Sequence, residues 1–172
     1  MTQQVLHTIG YEGSSIEAFV ATLSFVRIDL LIDIRDVPVS RKSGFSKNAL
    51  AGRLAASDID YLHLKGLGDP KSGREAARKG RYNEFRQIFS EHLRSEIAQA
   101  DVGRGIQAAL SQSACLLCFE RDYSQCHRRL VADEMALRGK FRIVHLGVQE
   151  GLIKPKGIAA RHAHDRTISL VG

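Results

Sequence analysis

The chain has 172 residues, of which 44% are apolar and 26% are charged, a composition that fits one globular domain with an ordinary core. No apolar run approaches the roughly 20 residues that a membrane-spanning helix requires. The first residues carry neither the basic region nor the hydrophobic core of a secretion signal. We therefore expect a cytoplasmic protein without a membrane partner, whose cysteines are reduced thiols.

Basic residues outnumber acidic ones, 25 to 19, which gives a net charge of +6 at pH 7. This excess favours partners that carry phosphate, including nucleic acids. The cations are densest between residues 65 and 86, where they are Lys65, Lys71, Arg74, Arg78, Lys79, Arg81 and Arg86. The segment could contact the phosphates of a nucleic acid, or it could be a solvated face of the fold.

Strand-like apolar runs alternate with segments of helical periodicity, which is the βαβ pattern of a parallel sheet. The predicted elements, in chain order, are a strand over 5–9, a helix after a capping box at 14–17, a strand over 28–34, a helix capped by Ser46, a strand over 59–64, a loop over 65–79, a helix from Asn83, a helical stretch ending near Ser111, a strand over 114–119, a helix over 126–138 and a strand over 142–146.

This order predicts a single Rossmann-like α/β domain over residues 1–172. Its core would span residues 5–146, with 147–172 as a C-terminal extension. We expect a mainly parallel five-stranded sheet with helices on both faces. Ligands of such sheets bind at the carboxyl ends of the strands, so the turns that follow the strands are the places to look for a site.

The turn after the first predicted strand contains Gly10, Tyr11 and Glu12. The helix N-terminus that follows it attracts anions. The turn lacks the spacing of a dinucleotide-binding or P-loop motif, so its glycines could equally serve a tight turn that binds nothing. Tyr11 is a candidate substrate-binding residue and Glu12 a candidate acid–base group.

The turn after the second predicted strand contains Asp33 and Arg35, which strand alternation places on one side. A carboxylate within an apolar strand must be paired or protonated. The two residues could form a structural ion pair that fixes the loop. Alternatively, Asp33 is a general base and Arg35 holds an anion. Ser40 and Arg41 are further candidates for binding the substrate anion.

The largest group of reactive side chains lies at the end of the fourth predicted strand and in the segment that follows it. Cys118 and Glu120 alternate onto one face, and Cys126 and His127 fall in the predicted first turn of the next helix. A thiol at a helix N-terminus beside Arg128 is expected to have a lowered pKa, which would make Cys126 the most reactive thiol. Cys118 could instead be a small buried apolar residue.

The three cysteines and His127 form a C-x₂-C-x₇-C-H pattern, whose first pair resembles half of a zinc knuckle. Cys115 and Cys118 are three residues apart in a predicted strand and therefore face opposite sides. A zinc knuckle needs this pair on a turn. We predict no metal site, and the sequence indicates no particular cofactor.

Motifs along most of the chain resemble domain-of-unknown-function family 488. They are Thr8–Gly13, Asp33–Arg35 with Pro38 and Ser40, Phe45–Lys47 with Leu50, Tyr61, Leu67–Gly68, Leu117–Glu120 and Cys126–Arg128. The resemblance covers about residues 5 to 146 and departs locally at Ile34, where valine is expected. It implies a compact α/β domain with a site at these motifs, and it implies no particular reaction.

The three turns together predict one site. Its expected catalytic residues are Glu12, Asp33, Glu120, Cys118, Cys126 and His127. Its expected anion-binding residues are Tyr11, Arg35, Ser40, Arg41 and Arg128. The leading hypothesis is an enzyme that acts on a phosphate-bearing or nucleic-acid substrate, and the alternatives are a non-catalytic nucleic-acid-binding module and a redox-responsive thiol domain. The sequence does not predict the oligomeric state.

Overall fold

The computed structural model describes residues 3–152 and is built around five parallel strands. The elements are β1 (Val5–Gly10), α1 (Ile16–Val26), β2 (Leu30–Asp33), α2 (Lys47–Ala55), β3 (Asp60–His63), α3 (Lys71–Arg78), α4 (Tyr82–Leu93), α5 (Glu96–Ser111), β4 (Ala114–Cys118), α6 (His127–Gly139) and β5 (Arg142–Leu146). Short 3₁₀ turns cover Lys65–Leu67 and Tyr123–Gln125. The strand order is β3-β2-β4-β1-β5, and every pairing is parallel. The predicted α/β fold is confirmed.

Helices cover both faces of the sheet, as predicted. One apolar cluster joins α1 and α2 to the sheet through Ile9, Phe19, Leu31, Leu50 and Leu54. The other joins α4, α5 and α6 to the opposite face through Leu116, Phe89, Val102, Val131 and Met135. Every residue of β2 and β4 is buried, because each strand has neighbours on both sides and helices on both faces. Such strands read as continuous apolar runs rather than as alternating ones.

Several predicted boundaries differ from the structure. The strands β2 and β3 are shorter than their apolar runs, because buried loop residues extend those runs. Strand β4 ends at Cys118, and the last residue of its run, Phe119, is an exposed loop residue. The cap of α1 is Ser15, whose hydroxyl accepts a hydrogen bond from the Ala18 amide at 3.1 Å, so the predicted capping box begins one residue too early. Helix α4 starts at Tyr82 rather than at Asn83. Ser46 precedes α2 but bonds Ser40 instead of capping the helix.

The predicted long loop over 65–79 is wrong, because it contains the 3₁₀ turn and helix α3. The buried residues of α3 are Gly73 and Ala76. Such small side chains give no apolar periodicity that a sequence pattern could detect. The other residues of the helix are mostly charged or polar and at least partly exposed, which resembles a polar loop in composition.

The segment after β5 folds back onto α1. The amide of Gln149 donates to Thr22 Oγ1 at 3.0 Å. The Glu150 carboxylate accepts from the amide and the hydroxyl of Ser15 at 3.4 and 3.3 Å. Most of the predicted C-terminal extension, from residue 153 onward, lies outside the described residues. Within residues 3–152, no helix is both long enough and apolar enough to cross a bilayer.

Candidate functional site

A cleft of about 970 Å³ opens at the carboxyl edge of the sheet. Its position follows from topology. The neighbouring strands β2 and β4 are followed by α2 on one face and by α6 on the other, so the two connections diverge and leave a crevice, which is where parallel sheets bind ligands. The lining residues come from the turns after β1, β2, β3 and β4, from α3 and α4, and from the first residue of α6.

The structure brings together seven of the eleven predicted site residues at the cleft wall. Those seven are Tyr11, Glu12, Arg35, Ser40, Arg41, Glu120 and His127. The other four, Asp33, Cys118, Cys126 and Arg128, are buried and do not line the cleft.

Asp33 is fully buried and accepts hydrogen bonds from three groups. The Arg35 guanidinium binds both of its carboxylate oxygens, at 2.9 and 2.6 Å. The Arg35 amide donates to it at 3.1 Å, and the Tyr61 hydroxyl donates at 2.6 Å. The expectation that Asp33 is buried and paired is therefore confirmed. Because its oxygens are already occupied, these contacts favour the structural alternative over a general base.

Most N–H groups of the Arg35 guanidinium donate hydrogen bonds to other groups of the protein. Besides Asp33, its Nη1 donates to the Tyr11 hydroxyl at 3.1 Å and to the Phe45 carbonyl at 2.9 Å. A guanidinium has five N–H groups, so at most one on Nη2 is left for a ligand. Arg35 thus ties the first two turns together, and it is a poor candidate for holding a substrate anion.

Arg128 is completely buried and links β1 to the end of β4. Its Nε donates to Thr8 Oγ1 at 3.1 Å, while Nη1 donates to Cys118 Sγ at 3.0 Å and to the Glu120 carbonyl at 2.7 Å. A Cβ at Gly10 would overlap that carbonyl and Nη1, so glycine is needed there to let the two turns meet. The anion-binding role expected for Arg128 is not supported by this geometry.

The thiol of Cys126 is not the activated group that the sequence suggested. Cys126 is the N-cap of α6, rather than a residue of its first turn, and only 3% of its surface is exposed. Burial, a hydrogen bond with Cys118 and the Glu120 carboxylate all raise the pKa of Cys126, and Arg128 only partly opposes them. The expected lowering of its pKa is wrong, since burial and the neighbouring Cys118 and Glu120 outweigh the effect of Arg128. Burial also raises the pKa of Cys115.

Cys118, Glu120 and Cys126 bring their possible metal-ligand atoms within 4.8 Å of one another. Two thiolates and a carboxylate are ligands that zinc accepts. However, the Arg128 guanidinium donates to Cys118 Sγ, and the Cys126 thiol donates to Glu120 Oε2 at 3.1 Å. A divalent cation would have to share this space with a buried positive charge, so we assign no metal to the cluster.

The most perturbed carboxyl group of the cleft is Asp69, which precedes α3. The pKa of Asp69 is raised to about 7: burial is the largest cause, the neighbouring Glu120 and Asp36 add to it, and Arg74 opposes them. Its Oδ1 is buried and has no hydrogen-bond partner among the described residues. A Cβ on Gly73 would overlap this oxygen, so the helix approaches the carboxyl group as closely as glycine allows.

The pKa values of Glu120 and His127 are both lowered, in contrast to that of Asp69. Burial disfavours the carboxylate of Glu120, but His127 and the hydrogen bond from Cys126 outweigh it, and the pKa lies below its usual value. Burial lowers the pKa of His127 despite the neighbouring Glu120. His127 Nε2 lies 3.0 Å from the Ile34 carbonyl, which can only accept, so Nε2 carries the proton. Nδ1 faces Cys126 Sγ at 3.7 Å.

Several cationic side chains of the cleft form no ion pair with other described residues. Arg74 is paired with Asp36 at 2.8 Å. Arg41, Lys42 and Arg78 line the same cleft, and within residues 3–152 none of the three forms an ion pair. Three unpaired cations in one concavity favour an anionic ligand.

Sequence reasoning missed the part of the site that β3 contributes. Asp69, Arg74, Arg78 and Tyr82 follow that strand. The signal was available, because the rule that ligands bind after parallel strands applies to β3 as it does to β2 and β4. An acidic residue between Gly68 and Pro70 after a strand marks such a turn. Because 65–79 was predicted as a long loop apart from the three turns, its residues were not assigned to the same cleft.

Comparison with known proteins gives one result. The sequence model described as "Domain of unknown function DUF488" matches residues 15–135. The match includes β2, β4 and the cleft residues between them, while Tyr11 and Glu12 precede it. No curated protein and no solved structure matches significantly. Because the matched range covers most of the chain, this protein belongs to the DUF488 family.

Proposed function

We propose that this protein is an enzyme that acts on a phosphate-bearing substrate in the cleft at the carboxyl edge of the sheet. The unpaired Arg41, Lys42 and Arg78 would hold the phosphate. They replace Arg35 and Arg128 in that role, because the donors of those two residues are engaged within the protein. The overall charge of +6 also favours the approach of an anion.

The observation that carries the proposal is the raised pKa of Asp69 in the cleft. A carboxyl group whose pKa is raised to about 7 is protonated in a large fraction of molecules at neutral pH. Groups of this kind in a cleft are characteristic of general acids. Within residues 3–152, Oδ1 of Asp69 has no hydrogen-bond partner, so no internal contact stabilises the ionised form through that oxygen.

Glu120 provides the complementary group. The pKa of Glu120 is lowered, so Glu120 is ionised at a pH where Asp69 is still protonated. Glu120 also raises the pKa of Asp69, so the two carboxyl groups interact electrostatically. In a hydrolysis or group transfer, Glu120 would take the proton of the attacking water or hydroxyl. Asp69 would give its proton to the leaving oxygen. The net proton balance is zero, as two-carboxyl catalysis requires.

The test is a turnover screen with purified protein on p-nitrophenyl phosphate, nucleoside mono- and triphosphates, ribose 5-phosphate and a single-stranded oligonucleotide, with products followed by mass spectrometry. We expect turnover of at least one of these compounds. Asp69→Asn should lower kcat by about 10²- to 10⁴-fold, and the exposed Asp58→Asn should leave it unchanged. Absence of turnover on every compound, or an Asp69→Asn variant as active as wild type, would refute the proposal.

A second candidate is a non-catalytic nucleic-acid-binding module that uses the basic segment 65–86. It is supported by Lys79 and Arg86, which are exposed and form no ion pair within the described residues. Arg74, Arg81 and Lys71 are each paired with a carboxylate, which weakens this support. Binding without turnover, with a steep dependence on salt, would favour the module over the enzyme.

The redox-responsive thiol domain is the weakest candidate. The Cys118 and Cys126 sulfurs lie within 4.8 Å of each other. Both thiols are buried, so an oxidant has little access to them, and reactive redox thiols are usually exposed and acidic.

A further inference from the structure

We propose that the phosphate-bearing substrate is a nucleotide, and that its base stacks on Phe119. This inference rests on the proposed function, because it assigns a binding partner to the same cleft. It identifies a part of the site that neither acid–base chemistry nor anion binding requires.

Phe119 is an exposed aromatic ring in a cleft that is otherwise rich in charge. It follows β4 directly, 45% of its surface is exposed, and it lines the cleft. An aromatic ring beside cations is the combination with which proteins bind nucleotides of single strands, because every base has a flat face that can stack.

The Phe119 ring is fixed by packing against aromatic rings of the protein core. Phe119 meets the Tyr11 ring edge-on with centroids 5.3 Å apart, and Tyr11 stacks on Phe45 at 4.3 Å. Phe45 is fully buried and packs edge-on against Phe19. The Phe119 carbonyl also accepts a hydrogen bond from the Glu12 amide at 2.9 Å. A ring supported by a column of buried aromatics is a fixed platform, so little conformational entropy is lost when a base stacks on it.

Other cleft residues complete the recognition of a base. Tyr82 is half-buried on the α4 side, and Val37 and Val39 are exposed in the turn after β2. Inorganic phosphate or a sugar phosphate has no apolar face to cover these groups, whereas a base does. Gln125 also lines the cleft, and its amide offers both a donor and an acceptor for a base edge. The volume of about 970 Å³ is within the range of small-ligand sites.

The nucleotide could be free or part of a single strand, since both present the same base and phosphate. The experiment therefore compares adenosine monophosphate, ribose 5-phosphate, inorganic phosphate and a six-nucleotide single-stranded DNA by isothermal titration calorimetry. The proteins are wild type, Phe119→Ala, Phe119→Leu and Phe25→Ala. Phe25 is the matched control, because it is 74% exposed on α1 and does not line the cleft.

We expect wild type to bind adenosine monophosphate about tenfold more tightly than ribose 5-phosphate. Phe119→Ala should abolish that difference without changing the affinity for ribose 5-phosphate. Phe119→Leu should restore it only in part, and Phe25→Ala should change neither affinity. If the DNA strand binds more than tenfold more tightly than adenosine monophosphate, the source is a strand; otherwise it is the free nucleotide.

The inference fails separately from the proposed function. Equal affinities of wild type for adenosine monophosphate and ribose 5-phosphate would overturn base recognition and leave phosphate binding intact. A Phe119→Ala variant that loses both ligands equally would also overturn it, because Phe119 would then only shape the cleft. If no phosphate compound binds at all, the proposed function and the inference both fall.

Discussion

Asp69 combines burial, an unpartnered oxygen and two acidic neighbours in a single side chain. The folded protein therefore holds the carboxyl group in its protonated form over a range of pH where the unfolded chain releases the proton. This arrangement costs stability at neutral pH. Keeping such a group is expected where function needs it, since active-site residues are commonly unfavourable for folding.

The first prediction concerns this cost. Because the pKa of Asp69 rises from 3.8 to about 7 on folding, its contribution to stability is complete below about pH 4 and is lost as pH rises to about 7. Asn cannot ionise, so Asp69→Asn should become more stable than wild type across this interval, by up to roughly 4 kcal/mol. Urea unfolding at several pH values measures the difference. Parallel stability curves for the two proteins would show that Asp69 ionises normally.

The second prediction concerns the thiols. Cys115, Cys118 and Cys126 are at most 3% exposed. Alkylation by iodoacetamide should therefore be slow at all three positions in the folded protein at pH 8 and fast in urea, because a buried thiol reacts only after the structure opens. Mass mapping of the labelled peptides gives each rate. Rapid labelling of Cys126 in the native state would show that the N-terminus of α6 is open.

Helix α3 illustrates, at the scale of an element, how a site can depend on the absence of a side chain. The carboxyl group of Asp69 packs against Gly73 in the first turns of the helix. Alanine is normally the better helix former by about 1 kcal/mol, so a glycine here is costly for the helix. The close approach of Asp69 accounts for it.

The third prediction compares two glycines in helices. Gly73→Ala should destabilise the protein despite the better helix propensity, because the new Cβ overlaps Asp69 Oδ1. Gly103→Ala in α5 should stabilise it by roughly 0.5–1 kcal/mol, because nothing lies within 4 Å of the new Cβ and only propensity changes. Chemical denaturation of both variants tests the pair. A stabilised Gly73→Ala variant would mean that the helix moves freely away from Asp69.

The elements that could be predicted from sequence are those with an apolar signature. The continuous apolar runs of β2 and β4 predicted buried parallel strands, and the turns after them predicted much of the cleft. Helix α3 could not be found in this way, because it buries only Gly73 and Ala76. Its omission also removed Asp69 and Arg78 from the predicted site.

The pKa values and hydrogen-bond partners of site residues were harder to predict than the positions of those residues in the fold. The sequence predicted Cys126 in the first turn of a helix and beside Arg128, and the structure places it one residue earlier, at the N-cap. Whether a helix dipole or burial determines a thiol pKa depends on three-dimensional contacts, here with Glu120 and Cys118. Likewise, the sequence placed Arg35 at the site, but only the structure shows that Asp33, Tyr11 and Phe45 use its donors.

At the scale of the molecule, the positively charged side chains of residues 3–152 divide into those that form ion pairs and those that do not. The fourth prediction is that a single-stranded oligonucleotide is retained at low salt mainly through the unpaired cations Arg78 and Lys79. Replacing both with Ala should reduce the slope of log affinity against log salt by about 1.4, since each phosphate contact on a single strand contributes about 0.7.

Arg53→Ala is the control for that experiment, because Arg53 is exposed on α2 and already faces Glu17 at 3.6 Å. The slope should not change in this variant. If the wild-type protein retains no oligonucleotide at low salt, the basic segment is a solvated face.

The strand order has a consequence for how the chain is made. The first strand, β1, lies between β4 and β5, so both of its partners are synthesised more than a hundred residues after it. The pair β2 and β3 reaches β1 only through β4. On the ribosome, the N-terminal strand must therefore wait with both edges open until almost the whole domain has emerged. Pairings this distant in sequence fold slowly, and unpaired apolar strands are the targets of chaperones. We expect newly made chains of this protein to depend on protection during synthesis more than the mature fold does afterwards.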